Sequence, residues 1–422
     1  TALGSCSAAM WAARPRAVSK FKGKRFYMAT FPVKYINNNM RGAPQLSGTA
    51  GTLIAVLDAF LITGFGQVTA LSVTVAGGIA TASLQSGQSF DPYCVVWVDG
   101  ATPAELNGEA RVLTSSSSSI TFATTAPDGV ATGAITIKVA PVGQWEKPFT
   151  GTSKAVYRST DVTGSRFCLW VDDSGTTTAR VRGFESMTDV NTGTGPFPTD
   201  AQSNGGGYLF KSSVANANSV RYDLIADSKI VLWAIGAGFA SNANYMNSPV
   251  RGFGDLLPLR PSGDGYAVGL SCQFSVDVAN YYGVGAFGNA NGVNSAGACM
   301  ARPISGLGGA YIAELSSYSG RFNATSGSDG SLGPFPSSVD GELKYSKCFV
   351  CDVGNNTPRA EVPGVLTIPQ SGVSSFIGPR DVMDGTGAMS GRKLLALLTA
   401  TTITSPRSNC GVCLVDITGP WR

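Results

Sequence analysis

A chain of 422 residues exceeds what one compact core serves and is long enough for two or three domains, each with its own apolar interior. Its 53 glycines, abundant Ser and Thr and only 14% charged residues favour short strands and tight turns over long salt-bridged helices, so the expected class is all-β. No histidine is present, which removes Ser-His-Asp and Cys-His nucleophile systems, His-ligated zinc and the commonest general base.

The net charge of +4 is unevenly spread. Residues 1–57 hold eight basic side chains (Arg14, Arg16, Lys20, Lys22, Lys24, Arg25, Lys34 and Arg41) and no acid, so this segment carries +8 and the remainder −4. A basic N-terminal arm over residues 1–41 is attractive to nucleic acid or to the acidic face of a neighbouring subunit; a solvated leader is the plainer alternative. Phe21, Phe26, Tyr27 and Phe31 interleave with the charges in "KFKGKRFYMATF", which suits an arm that packs onto a partner. "MWAARP" lacks the apolar centre of a signal peptide, and no apolar run approaches the ~20 residues that cross a bilayer. A soluble protein made in the cytosol is expected.

Residues 42–66 contain the one clear helix. Leu53, Ile54, Leu57, Phe60 and Leu61 recur at helical spacing, Ser47 or Thr49 is placed to cap the start, and Gly64 suits the end. From 67 to 141 the pattern turns to period two: "LSVTVAGGIATASL", "YCVVWVDG", "ARVLTSSSSSITFAT" and "GAITIKVA" predict about six strands of a small sandwich or barrel, with a hairpin at Gly77-Gly78.

Residues 142–422 predict a larger β-rich domain. Its strand candidates, "RFCLWVDD", "KIVLWAIG" and "GVCLVDIT" among them, are separated by long Gly/Asn/Ser stretches at 236–254 and 283–310, the best candidate interface by length and polarity. "GPFP" occurs twice, at 195–198 and 333–336. The flanks do not align, so a duplication is not established. Each copy presents a Phe between prolines on a stiff segment, which makes Phe197 and Phe335 candidates for packing or partner contact, a shared ligand rim being the alternative.

Several segments resemble a family of virion structural proteins of tailed bacteriophages and prophages: "AVYRSTDVTGSRFCLWVDDSGTTTARVRGFESMTDVNTGTGPFPTD", the "RAEVPG" at Arg359–Gly364 and the terminal "DITGPWR", with "GATPAELNGEARVL" similar to a segment of small β-modules in such proteins. The likeness runs from about Gly42 to Arg422, and the basic arm departs from the pattern. It implies a non-enzymatic particle component and brings no catalytic residues with it.

Chemistry read directly from the residues is sparse. Asp172 and Asp173 in "WVDDSG" stand at a strand end, where a paired-carboxylate glycosidase would place its acids; adjacent strand residues point to opposite faces, and an Asp before Ser-Gly is the usual start of a turn. No phosphate-binding glycine loop is present. Among nine cysteines, Cys348, Cys351, Cys410 and Cys413 form two C-x-x-C pairs, a candidate zinc set or redox pair, with ordinary buried thiols the favoured reading. No cofactor is expected.

Two functions follow. The first is a multi-copy structural component of a tailed-phage virion, tail- or baseplate-associated, assembled in the host cytoplasm through contacts with its own copies and other virion proteins; a capsid decoration or cement protein is its variant. Partner-contact candidates are Arg14, Arg16, Lys20, Lys22, Lys24, Arg25, Phe26, Tyr27, Phe197 and Phe335. The second is a glycan-binding or depolymerising tail component, which needs a groove of clustered Trp, Tyr and acids, whereas the six Trp residues sit mostly inside strand patterns or at the chain ends.

Overall fold

The computed structural model describes residues 31–239, 249–274, 287, 296–316, 332–352, 357–399 and 410–422. With 48% of residues in strands and 6% helical, the all-β expectation holds. A short strand, β1 (Lys34–Asn37), precedes the helix α1 (Thr52–Asp58). The barrel strands are β2 (Phe65–Ala76), β3 (Ile79–Leu84), β4 (Val95–Asp99), β5 (Gly108–Ser115), β6 (Ser119–Ala123), β7 (Gly129–Val130) and β8 (Thr136–Val139).

The ring closes in the order β2-β3-β6-β5-β4-β8 and back to β2, with β7 appended to β2. Closure leaves no open edge in the ring. Alternation fills its interior with Val73, Val75, Ala80, Ala82, Val96, Val98, Val112, Ile120, Phe122 and Ile137, all buried. The expected hairpin is present, and Gly77 and Gly78 both take positive φ (57° and 78°), as a primed two-residue turn requires.

The larger body consists of β9 (Trp145–Gly151), β10 (Lys154–Ser159), β11 (Cys168–Asp172), β12 (Thr178–Met187), β13 (Gly193–Phe197), β14 (Gly207–Phe210), β15 (Val220–Ala226), β16 (Ile230–Phe239), β17 (Arg251–Asp255), β18 (Leu257–Pro258), β19 (Val268–Gln273), β20 (Ala296–Met300), β21 (Tyr311–Ser316), β22 (Ser346–Asp352), β23 (Pro358–Thr367), β24 (Val382–Asp384), β25 (Lys393–Thr399) and β26 (Gly411–Asp416). With β1 they form a 19-stranded antiparallel network. One run is β9-β10-β11-β12, whose end pairs with β13 and β14; the other runs from β1 through β15, β16, β17, β19, β20, β21, β22, β23, β26 and β25 to β24. The β23, β25 and β26 strands are buried on both faces, which is why "KLLALLT" reads as a continuous apolar run: Val365, Leu395, Leu397, Cys413 and Val415 enter the main core, while Leu366, Leu394, Ala396, Leu398, Val412 and Leu414 enter a second cluster.

The helix is a plug between sheet and barrel. Its first turns face Leu169, Val171, Val181, Leu209, Tyr222, Leu224, Trp233 and Ile235, with only about 10 Å³ of free space between them. After Asp58 it widens into a π-helical turn, Ala59–Thr63, and stops at Gly64 (φ 69°). The buried face differs slightly from the expected one, because Val56 is fully enclosed and Ile54 only half so.

Neither Ser47 nor Thr49 caps it. Their hydroxyls bond each other at 2.8 Å, and Gly51 takes the N-cap position. The capping acceptor comes from 120 residues away: the Asp173 carboxylate accepts the N–H groups of Leu53 (2.8 Å) and Ile54 (3.2 Å). Its other oxygen meets the Lys211 ammonium, which also donates to the Thr49 carbonyl at 2.7 Å. Both charged side chains are 0% exposed. Burial pushes the Asp173 carboxyl up, and the hydrogen bond and charge of Lys211 oppose that push.

The arm boundary at residue 41 requires correction. Lys34 is buried in β1, where its ammonium bonds Glu109 of the barrel (2.5 Å) and the Pro141 carbonyl (2.6 Å), and Arg41 donates to the carbonyls of Gln85 and Ser117. Arg111 of the barrel completes the joint. It donates to the carbonyls of Ile417 (2.8 Å), Val33 and Thr418 and covers the Phe31 ring at 4.8 Å. Arg14, Arg16, Lys20, Lys22, Lys24, Arg25, Phe26 and Tyr27 lie outside the described residues.

Two outcomes follow. Removing one member of a buried ion pair strands the other, at about 3–5 kcal/mol. Asp173→Ala and Lys211→Met are therefore each expected to lower the urea-unfolding free energy by that amount, and Asp173→Ala with Lys211→Met by less than the two singles combined; strictly additive losses would show that the pair does not act as a unit. A chain starting at Gly42, which lacks β1, is expected to melt well below one starting at Phe31, and coincident circular-dichroism melts would overturn the role given to β1.

Candidate interaction surfaces

Glycines govern how the segments with the family likeness pack. Phe197, at the end of β13, packs over Gly183, its cross-strand partner in β12, where an added Cβ would come within 2.2 Å of the ring. It stacks on Phe253 (centroids 6.1 Å apart, planes at 19°) and is 0% exposed. Phe197 is thus a core residue and not a partner contact, a correction caused by the missing side chain at Gly183. Gly364 (φ 70°), in "RAEVPG", plays the same part for Trp421 of "DITGPWR", whose indole would lie 2.2 Å from a Cβ there. The indole N–H reaches the Asp416 carbonyl at 2.9 Å, tying the chain end to β26.

Phe335 of the second "GPFP" has a different setting. It is half-buried, meets Phe376 edge-on (5.4 Å, 85°), and Phe376 is 59% exposed. The preceding Pro334 bridges Ser371, and the Phe335 N–H bonds the Ser371 carbonyl at 2.9 Å. This segment roofs the second cluster and adjoins a groove of about 520 Å³ lined by Leu332, Leu343, Tyr345, Phe349, Pro369 and the 386–388 turn. The two copies are not brought to a common rim: one is sealed in the core and the other lies at the surface.

The acids of "WVDDSG" are both engaged. Asp172 accepts the Ser174 N–H at 3.0 Å, the expected turn, and faces Lys154 at 3.6 Å; Asp173 is the buried cap described above. The candidate zinc thiols are divided by the sheet, since Cys348 and Cys413 enter the main core and Cys410 the second cluster on the opposite face. Among the described residues no group of three or more Cys, Asp and Glu could hold a metal. The eight described cysteines are buried and unbridged, and Cys6 lies outside the described residues. Burial pushes the thiols of Cys272 and Cys413 up to about 12, which leaves them protonated at neutral pH.

The two long polar stretches are shorter as loops than the sequence suggests. Strands β16 and β17 occupy the ends of 236–254, and β20 lies within 283–310. Their residues 240–248, 283–286 and 288–295 lie outside the described residues. The described remainder, 301–310, carries Ile304 (46% exposed) and Leu307 (77% exposed) on a loop held by Arg302, whose guanidinium pairs with Glu185, donates to the Gly306 carbonyl at 3.0 Å and lies 5.2 Å from the Tyr266 ring. Beside this loop sits a centre that the sequence flagged only as part of "RAEVPG". Arg359, 7% exposed, donates to Asp264 (2.8 Å), the Arg302 carbonyl (2.5 Å) and the Tyr311 hydroxyl (2.7 Å).

The barrel exterior offers a third surface, free of charge: Thr74, Thr81, Thr121 and Thr114 stand side by side across β2, β3, β6 and β5, with Ser72, Ser83 and Ser119 in the next row.

No protein-family model and no curated protein matches this chain. The packing roles of the glycines are directly testable. Gly183→Ala and Gly364→Ala are each expected to cost about 1–3 kcal/mol through overpacking, while Gly341→Ala, with open space around its Cβ position, should act only through its positive φ. Unchanged unfolding midpoints for the first two would refute the close contacts.

Proposed function

We propose that this chain is a multi-copy structural component of a tailed-phage virion, associated with the tail or its baseplate, that works by assembly and not by catalysis. The observation that carries this reading is the use made of the segments with the family likeness. Asp173, Gly183, Phe197, Gly364, Asp416 and Trp421 all serve packing, and the adjacent carboxylates of "WVDDSG" cap a helix and a turn. The outer surface supplies what subunit contacts use: apolar side chains on short loops (Leu307 77%, Val339 92% and Phe376 59% exposed) and main-chain groups of Gly-rich turns suited to water-bridged bonds.

A capsid decoration protein would present a similar surface, and fractionation separates the two positions. In particles that carry this chain, an antibody raised against it is expected to detect it in purified tails and not in tail-less heads. Its recovery from heads alone would overturn the tail assignment, and release of reducing ends from host polysaccharide, abolished by Asp172→Asn, would overturn the non-enzymatic one.

A further inference from the structure

Next to the Arg302-anchored loop lies an open pocket of about 380 Å³ lined by Pro303, Ile304, Tyr311, Asp352, Thr357, Pro358 and Arg359. That volume falls within the roughly 300–1,000 Å³ of small-molecule sites. Pro303, Ile304 and Pro358 give it apolar walls, and the polar groups converge at one end. The Tyr311 hydroxyl accepts from Arg359 and is hydrogen-bonded to Asp352, so phenol, carboxylate and guanidinium form one chain. Arg359 lies 5.6 Å from the Tyr311 ring, and its Nη2 is buried with no partner. An unused donor at a buried guanidinium is costly unless something accepts from it.

The charges decide what kind of ligand fits. Arg359 is matched by Asp264, and Arg302 by Glu185, and the one carboxylate in the pocket lining is Asp352. An anionic ligand is disfavoured on that count. A neutral ligand with both donors and acceptors and an apolar face meets every feature: its hydroxyls donate hydrogen bonds to Asp352 and accept one from the guanidinium edge, and its C–H groups lie on the Pro and Ile walls.

We infer that this pocket binds a neutral saccharide through the Tyr311, Asp352 and Arg359 chain. The site is independent of where in a particle the protein sits. A binding role here adds recognition to the assembly role and requires no bond to be broken.

The test is capture of the purified chain on an array of neutral, uronic-acid-containing and phosphorylated glycans, followed by titration of the best neutral saccharide. Binding on the order of 1 mM is expected for one ring in so open a site, weakened at least ~10-fold by Asp352→Asn, which keeps the shape and removes the strongest acceptor. Ile304→Glu, a change at an exposed wall that leaves the buried network intact, is expected to abolish it. Both variants are to be compared at unchanged melting temperature; if Asp352→Asn fails to fold, Ile304→Glu alone decides. No neutral glycan captured, equal or tighter capture of acidic glycans, or full binding by Ile304→Glu would each overturn the inference, and none of these results bears on the heads-and-tails fractionation.

Discussion

A single buried ion pair organises the middle of this molecule. Asp173 and Lys211 lie in the same apolar interior as α1, and two full charges there are tolerable only because each has several partners: the carboxylate takes two helix N–H groups and the ammonium, and the ammonium also takes the Thr49 carbonyl. The helix is seven residues long before its π-helical turn, too short to persist alone. Its start is therefore set by the sheet, at Asp173 just beyond β11, and its side chains then complete the core of that sheet. Sheet and helix specify each other, and a chain lacking either would expose the apolar face of the one that remained.

A second joint fastens the barrel to the same body. Lys34 to Glu109 and Arg111 to the carbonyls of Val33, Ile417 and Thr418 bring the first described strand, the barrel wall and the segment after β26 to one point. Hydrogen bonds from a guanidinium to several carbonyls fix orientation better than one salt bridge, because the planar fork allows few alternatives. At the other end of the β1–β15 pairing, Arg380 does the same, donating to Asp223, the Asn38 side chain and the Tyr222 carbonyl.

Features set by neighbours in sequence were readable from it. The Gly77-Gly78 hairpin, the alternation of the barrel strands and most of the buried helix face depend on spacing alone. Pairings across long separations were not. "WVDDSG" reads as a turn, and Asp172 makes one, but nothing near Asp173 announces a lysine 38 residues on or a helix start 120 residues back. "GPFP" is the same tetrapeptide twice, yet Gly183 opposite the first copy seals its Phe and Phe376 beside the second leaves its Phe half-exposed. "RAEVPG" stood out, but Arg359 acquires its meaning only when Asp264, Arg302 and Tyr311 arrive from 95, 57 and 48 residues away.

The distribution of charge follows from these joints. Only 14% of the residues are charged, and many of those act as internal staples: Asp173 with Lys211, Glu109 with Lys34, Asp223 with Arg380, Glu185 with Arg302, Asp264 with Arg359 and Asp227 with Arg422. On the barrel exterior, threonine and serine stand side by side across β2, β3, β6 and β5, and the loop tips carry a few apolar side chains. Surfaces of that kind meet partners through shape, main-chain hydrogen bonds and trapped water, which salt screens little, whereas contacts built on surface ion pairs weaken within a Debye length of about 8–10 Å at ordinary ionic strength. A chain that places many of its few charges within its own joints has its fold stapled from the inside, and its threonine and serine face on the barrel is left for contacts that do not depend on charge.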